Sequence, residues 1–219
     1  MTHPIDREAI RASYDRVADE YARRIAGELA HKPFDRALLD RFAARVGTDG
    51  PVVEVGCGPG HVAAYLHARG LDARGIDLSP AMVDRARALF PALPFEIGDV
   101  TALAAPDASW AAAVAFYSLI HLPRGEMPAA LRELRRVLRP GAPLFVAFHI
   151  GAEIRHLDEL WGEPVSLDFV FFTPDEMQSY LEQAGFHVES LDERDPYPEV
   201  EAPTRRCYIL ARAFPRPTR

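Results

Sequence analysis

The stretch Val52-Val53-Glu54-Val55-Gly56-Cys57-Gly58-Pro59-Gly60 constrains this chain more than any other. An apolar strand runs straight into glycines at alternate positions and then into a helical stretch, 61–69. Glycines spaced this way let a ligand approach the main chain, and the helix that follows offers unpaired N–H groups at its start. Strand, glycine turn and helix in that order open a βαβ unit. The same alternation continues through ARGI (73–76), a helix over 80–89, PFEI (94–97), WAAAVAFY (110–117), a helix over 127–138 and PLFVAFH (143–149). It predicts an α/β fold with five parallel strands and helices on both faces of the sheet.

The flanks are read from periodicity. Ile10, Tyr14, Val17, Tyr21 and Ile25 recur every three or four residues, which predicts a helix over 7–25 with Asp6 as its cap. Phe34, Leu38, Phe42 and Val46 predict a second over 34–46, so 1–46 reads as an N-terminal helical cap. Residues 150–173 read as an irregular, aromatic-bearing insertion. Thr173, Pro174 and Glu176 supply a cap, an N1 proline and a capping-box acid for a further helix, which Gly185 ends. Strands at 186–194 and 205–213 have no helix between them and should pair antiparallel, bringing the sheet to seven strands. With 219 residues, one domain over 1–213 is expected, followed by a loose tail at 214–219.

Composition excludes several functions. A formal net charge of -7 leaves no global basic field for nucleic acid or an anionic membrane surface. Two cysteines, Cys57 and Cys207, cannot build a disulfide framework or a four-cysteine zinc site. His3, His31, His61, His67, His156 and His187 are dispersed, so no metal site is expected. The charged N-terminus lacks the apolar core of a signal peptide, and no stretch reaches the roughly 18 apolar residues of a membrane span. The expectation is a cytoplasmic protein.

Two acids sharpen the glycine signal. Asp77, in Ile76-Asp77-Leu78-Ser79-Pro80, ends the second strand, where a carboxylate in the crevice outside the strand ends accepts ribose hydroxyls. Asp99, in Gly98-Asp99-Val100, follows the third strand and falls at the same edge, within reach of an adenine amino group. On these residues the chain resembles the class I S-adenosylmethionine-dependent methyltransferases, in particular the small group similar to ubiquinone-biosynthesis-type enzymes, over about residues 10–213. The resemblance implies a Rossmann-like, seven-stranded, mostly parallel sheet with its last strand antiparallel and an N-terminal helical lid. It implies S-adenosyl-L-methionine as cofactor, with Gly56, Cys57, Gly58 and Gly60 around the methionine part and Asp77 on the ribose. Leu78, Met82, Asp99 and Val100 would neighbour the adenine, and backbone from Ala115 and Phe116 would reach the methionine end. Tyr14 and Tyr21, in Tyr14-Asp15-Arg16-Val17-Ala18-Asp19-Glu20-Tyr21, match a lid stretch of the family, although their spacing equally fits packing. Glu54, a carboxylate within an apolar strand, requires a partner, either backbone of the glycine loop or the cofactor's ammonium through water.

His121 after the fourth strand and His149 at the end of the fifth are the candidate catalytic residues. Either suits a base that takes a proton from an acceptor near neutral pH. Trp161, Phe169, Phe171 and Phe172, with Tyr117, suggest an apolar acceptor pocket or simply core, and the pocket reading favours a small organic acceptor. The resulting function is methyl transfer to a small molecule. Two alternatives stay open: a nicotinamide-dependent oxidoreductase, since dinucleotide folds share the spacing of glycine loop and acid, and a cofactor-binding module without catalysis.

Overall fold

The computed structural model describes residues 5–47 and 49–214. In chain order the elements are α1 (Arg7–Ile25), α2 (Pro33–Ala43), β1 (Pro51–Val55), α3 (His61–His67), β2 (Asp72–Asp77), α4 (Pro80–Leu89), β3 (Phe95–Ile97), β4 (Ala112–Phe116), α5 (Met127–Val137), β5 (Pro143–His149), β6 (Ile154–Leu160), β7 (Glu163–Val170), α6 (Pro174–Gln183), β8 (Phe186–Arg194) and β9 (Arg206–Ala213). Short 3-10 turns occupy Glu28–His31 and Leu119–His121. Seven strands form one sheet in the order β3-β2-β1-β4-β5-β9-β8. The first five are parallel to one another, and β9 lies antiparallel between β5 and β8. Helical crossovers join β1 to β2, β2 to β3 and β4 to β5, and the long connection 98–111 carries the chain from β3 across to β4, whereas the direct return from β8 allows β9 to enter reversed.

Alternate residues of each strand feed two cores. Val53 and Val55 pack with Leu131 and Leu134 of α5 and Met177 and Leu181 of α6. Val52 turns to the other face, with Phe42 of α2, Val62 and Leu66 of α3 and Val83 of α4. A third cluster forms above the sheet edge, where Ile10, Val17 and Ala18 of α1 meet Met82 of α4 and Val165 and Leu167 of β7. The stripe on α1 is therefore spent on docking.

The segment 150–173 departs from expectation. Instead of irregular chain it holds the antiparallel pair β6–β7, outside the main sheet. Trp161 and Gly162 make its turn with φ of 55° and 86°, the positive values a two-residue hairpin loop requires. Val165 and Leu167 are buried while Ser166 between them is exposed, an alternation the aromatic content obscured. The second helix ends at Ala43 rather than 46. Residues 1–4, with His3, Thr48 and the tail from 215 onward lie outside the described residues. Among the described residues, no helix is long and apolar enough to cross a membrane.

Candidate functional site

The strand order reverses between β1 and β4, and in open α/β sheets the crevice outside the strand ends at such a point receives ligands. Two adjoining cavities lie there, of about 130 and about 530 Å³. Tyr14, Tyr21, Gly56, Gly58, Phe116 and Tyr117 line both.

The glycines of the loop have different reasons to be glycine. A Cβ on Gly56 would fall 2.3 Å from Ser118 Cβ, and one on Gly60 would fall 2.6 Å from the Phe95 ring, so these two are fixed by packing. One on Gly58 would meet only the Tyr21 ring at an ordinary 3.7 Å. Gly58 sits at φ 50° and its N–H donates to Asp77 Oδ2 over 2.7 Å, which turns the loop backbone toward the cavity. Gly60 lines neither cavity, and Ala115 is directed into the core of the α5 face. Cys57 lines the larger cavity, with burial pushing its thiol pKa well up. Glu54 shares a strand face with Val52, and its Oε2 accepts the Ala63 N–H of α3 at 2.8 Å. Burial pushes its carboxyl well up, so the partner it has is backbone just beyond the glycine loop.

Asp77, Leu78, Met82, Asp99 and Val100 all line the smaller cavity. Asp77 Oδ1 also accepts the Ser79 N–H at 2.8 Å, while burial raises its pKa. Asp99 is more committed. Its Oδ1 accepts the N–H and hydroxyl of Thr101 at 2.8 and 2.7 Å, and its Oδ2 accepts from Arg7 at 2.9 Å. Arg7 lines the same cavity, a contribution hidden in sequence because the first turn of α1 reads as solvated. Ser118 Oγ and His61 Nδ1, each in a residue lining one of the cavities, are buried without a hydrogen-bond partner among the described residues.

Helix α1 closes the crevice. Asp15 Oδ1 accepts from Ser79 Oγ at 2.6 Å and the Ala81 N–H at 3.1 Å, tying α1 to the start of α4. Ser13 Oγ accepts the Ser166 N–H at 2.9 Å, tying it to β7. The Tyr14 and Tyr21 rings meet edge-on at 5.7 Å, so these tyrosines both pack and face the cavities. Tyr14 Oη lies 2.6 Å from His121 Nε2, and His121 Nδ1 lies 2.9 Å from the Asp168 carbonyl. A carbonyl only accepts, so Nδ1 carries the proton and Nε2 accepts from Tyr14. Both nitrogens of His121 are engaged, and burial pushes its pKa down to about 4.

The larger cavity has an aromatic wall and a charged floor. Tyr117, Trp161, Phe169 and Phe171 line it; Phe172 does not, being wholly buried against Phe148 and Tyr180. His149 also lines it, its ring between Tyr117 at 5.0 Å and Phe171 at 5.4 Å. Its Nδ1 bonds Thr204 Oγ1 at 2.9 Å, and burial with the neighbouring charge of Arg206 pushes its pKa down to about 3. Glu28, Lys32, Glu201 and Arg206 complete the floor. None of these four was singled out as a site residue from sequence, where they are scattered charges on separate elements.

Residues 52–141 match a family described as "Methyltransferase domain". The chain is 28% identical to the malonyl-[acyl-carrier protein] O-methyltransferase of Serratia marcescens over 73% of its own length. It is 36% identical to the trans-aconitate 2-methyltransferase of Methylobacterium radiotolerans over 62%. These matches span 60% and 47% of the two relatives. In structure it is similar to the 1,6-didemethyltoxoflavin-N1-methyltransferase of Burkholderia thailandensis, solved with 1,6-didemethyltoxoflavin and S-adenosylhomocysteine, with a TM-score of 0.71 and 19% identity over 98% of this chain and 92% of that one.

Proposed function

Because this chain belongs to the class I S-adenosylmethionine-dependent methyltransferases, we propose that it transfers the methyl group of that cofactor to a small organic acceptor. The observation that carries the reading is the pair of cavities meeting at Gly56 and Gly58, one edged by Asp77 and Asp99 and the other walled by aromatic rings. When bound, the cofactor supplies an electrophilic methyl group on a sulfonium. The residues of this chain do the rest. Asp77 accepts the ribose hydroxyls with the lone pairs that Gly58 and Ser79 leave free, and Met82, Leu78 and Val100 enclose the adenine. Tyr14 and Tyr21 exclude water from above, which strengthens every electrostatic interaction inside.

Alignment and desolvation provide the rate, and base catalysis has a small part. His121 is tied by both nitrogens and serves to hold the Tyr14 hydroxyl. His149 stays neutral and orients the acceptor with Nε2. The nicotinamide alternative is set aside: beyond β5 the sheet continues into the β9–β8 hairpin and not into a second βαβ half, and the matched family and named relatives are methyltransferases. Calorimetry tests the reading. S-adenosylhomocysteine should bind and NAD should not; the reverse result would overturn it.

A further inference from the structure

The hairpin β6–β7 leaves one strand edge open. β7 docks Val165 and Leu167 against α1, whereas β6, the outer strand of this two-stranded sheet, is exposed from Ile154 to Glu159. The N–H of Phe171, just beyond β7, donates to the Glu153 carbonyl in the same register as the ladder. By the alternation of an antiparallel pair, Arg155 and Leu157 then turn their main-chain groups toward β7, and Ile154, His156 and Asp158 turn theirs outward. Apart from the ladder, no hydrogen bond reaches the main chain of 154–160 among the described residues.

An open edge is normally blunted by proline, lysine or a bulge. β6 has neither proline nor lysine. Its ladder shifts register between Leu157 and Glu159, but there β7 runs from Leu167 to Pro164 while β6 advances from Leu157 to Glu159, so the extra residue lies on the inner strand. The apolar side chains of β6 are not hidden either: Ile154 is 44% and Leu157 37% exposed. Glu159 has no ion pair or hydrogen bond among the described residues. Asp158, its side chain 93% exposed, bonds only His156.

The sequence of β6, IRHLDEL, is complementary to itself read backwards. About a two-fold axis at Leu157, an antiparallel copy sets Arg155 opposite Glu159 of the other copy, His156 opposite Asp158, Ile154 opposite Leu160 and Leu157 opposite Leu157. The same register brings His156 and Asp158, which both turn their main chain outward, face to face, as ladder hydrogen bonds require. An axis at His156 would instead oppose Arg155 to Leu157 and Ile154 to Asp158, and one at Asp158 would oppose Leu157 to Glu159 and His156 to Leu160. We infer that β6 docks on β6 of a second copy of this chain, joining two hairpins into a four-stranded antiparallel sheet across a two-fold axis at Leu157. Opposite charges and apolar residues facing each other across strands are the pairs that stabilise a sheet. A patch that complements itself closes as a dimer and does not grow into a fibre. Arg155 and Leu157 line the larger cavity, and β7 holds α1 through Ser166 and Ser13, so the pairing sets the two cavities side by side and steadies the helix that closes each.

Sedimentation velocity of the full chain over about a hundredfold range of concentration should show monomer passing to dimer by mass action. Glu159→Arg puts like charges opposite each other on both sides of the axis and should raise the dimer dissociation constant at least about tenfold. Adding Arg155→Glu to it reverses both charges, restores the complementarity and should bring the dimer back. Both positions are exposed, so the variants keep the fold, which circular dichroism checks. Hydrogen exchange gives a second reading on the unaltered chain, where the amides of 154–160 should slow as concentration rises. A monomer at every concentration, a dimer indifferent to Glu159→Arg, or a double variant that stays apart would each overturn the inference.

Discussion

Asp77 sits where a carboxylate is costly, buried beside the glycine loop, and two backbone N–H groups meet only part of its capacity. Asp77→Ala is expected to weaken S-adenosylhomocysteine binding by about 1.5–3 kcal/mol, the scale for hydrogen bonds to a charged group. An unchanged dissociation constant in a folded variant would remove Asp77 from the ribose. The two histidines make a different prediction. Burial holds His121 at about 4 and His149 at about 3 in the folded chain, below the roughly 6.5 of an unfolded histidine. Between those values the unfolded state binds more protons, so stability is complete above pH ~6.5 and is lost as pH falls toward the folded values. The urea midpoint should fall on acidification from pH 6.5 to 4, and less steeply in His121→Gln. A midpoint flat across that window would count against neutral, buried imidazoles.

Among the elements, α1 carries the closure of the site, and its attachment depends on a few named contacts. Ser13 is one: it receives the Ser166 N–H from β7 and donates to Ala9 within its own helix. Ser13→Ala leaves the Ser166 N–H without that acceptor, at a cost of about 1–3 kcal/mol. Hydrogen exchange should then quicken in both 7–25 and 163–170, and cofactor should protect the same two segments in the wild type. Exchange in α1 that is indifferent to cofactor would make the helix a packing element alone. The hairpin it grips was the element least legible in sequence. The βαβ alternation placed β1 to β5 to within a few residues because buried parallel strands are short apolar runs bounded by glycine and proline. Asp6 and Thr173 do receive the N–H groups expected of caps. The β6–β7 pair escaped because one strand, IRHLDEL, is exposed along most of its length and shows no apolar face. Site legibility followed the same rule. Residues on the glycine loop and strand ends are local in sequence, whereas Arg7, Lys32, Glu201 and Arg206 become a site only through tertiary contact.

At the scale of the molecule, one buried ionic network joins elements that no single stretch of sequence connects. Glu201, in the loop between β8 and β9, is held by Lys32 from the turn before α2, Arg194 at the end of β8 and Arg206 at the start of β9, and accepts the Tyr197 N–H at 2.9 Å. Arg194 passes on to Asp35 of α2 at 2.7 Å, Asp35 accepts the Tyr208 hydroxyl at 2.8 Å, and Tyr208 bonds the Tyr117 hydroxyl at 2.8 Å. Tyr117, at φ 56°, lines both cavities, so the network fixes a strained residue where the two cavities meet. Removing one member of a buried network leaves the opposing charges uncompensated, a loss of about 3–5 kcal/mol. Glu201→Gln should therefore lower the unfolding free energy at pH 7 by that amount. Burial alone would raise the Glu201 pKa, but the bonds from Arg194 and Tyr197 and the charge of Lys32 bring it to about 2. That is below the ~4.3 of an unfolded glutamate, so its contribution is present above pH ~4.3 and is lost as pH falls toward 2. The wild type should lose stability over that window more steeply than Glu201→Gln, read from denaturant midpoints at each pH. Equal acid limbs with an unchanged value at pH 7 would mean that the loop is held by its apolar contacts.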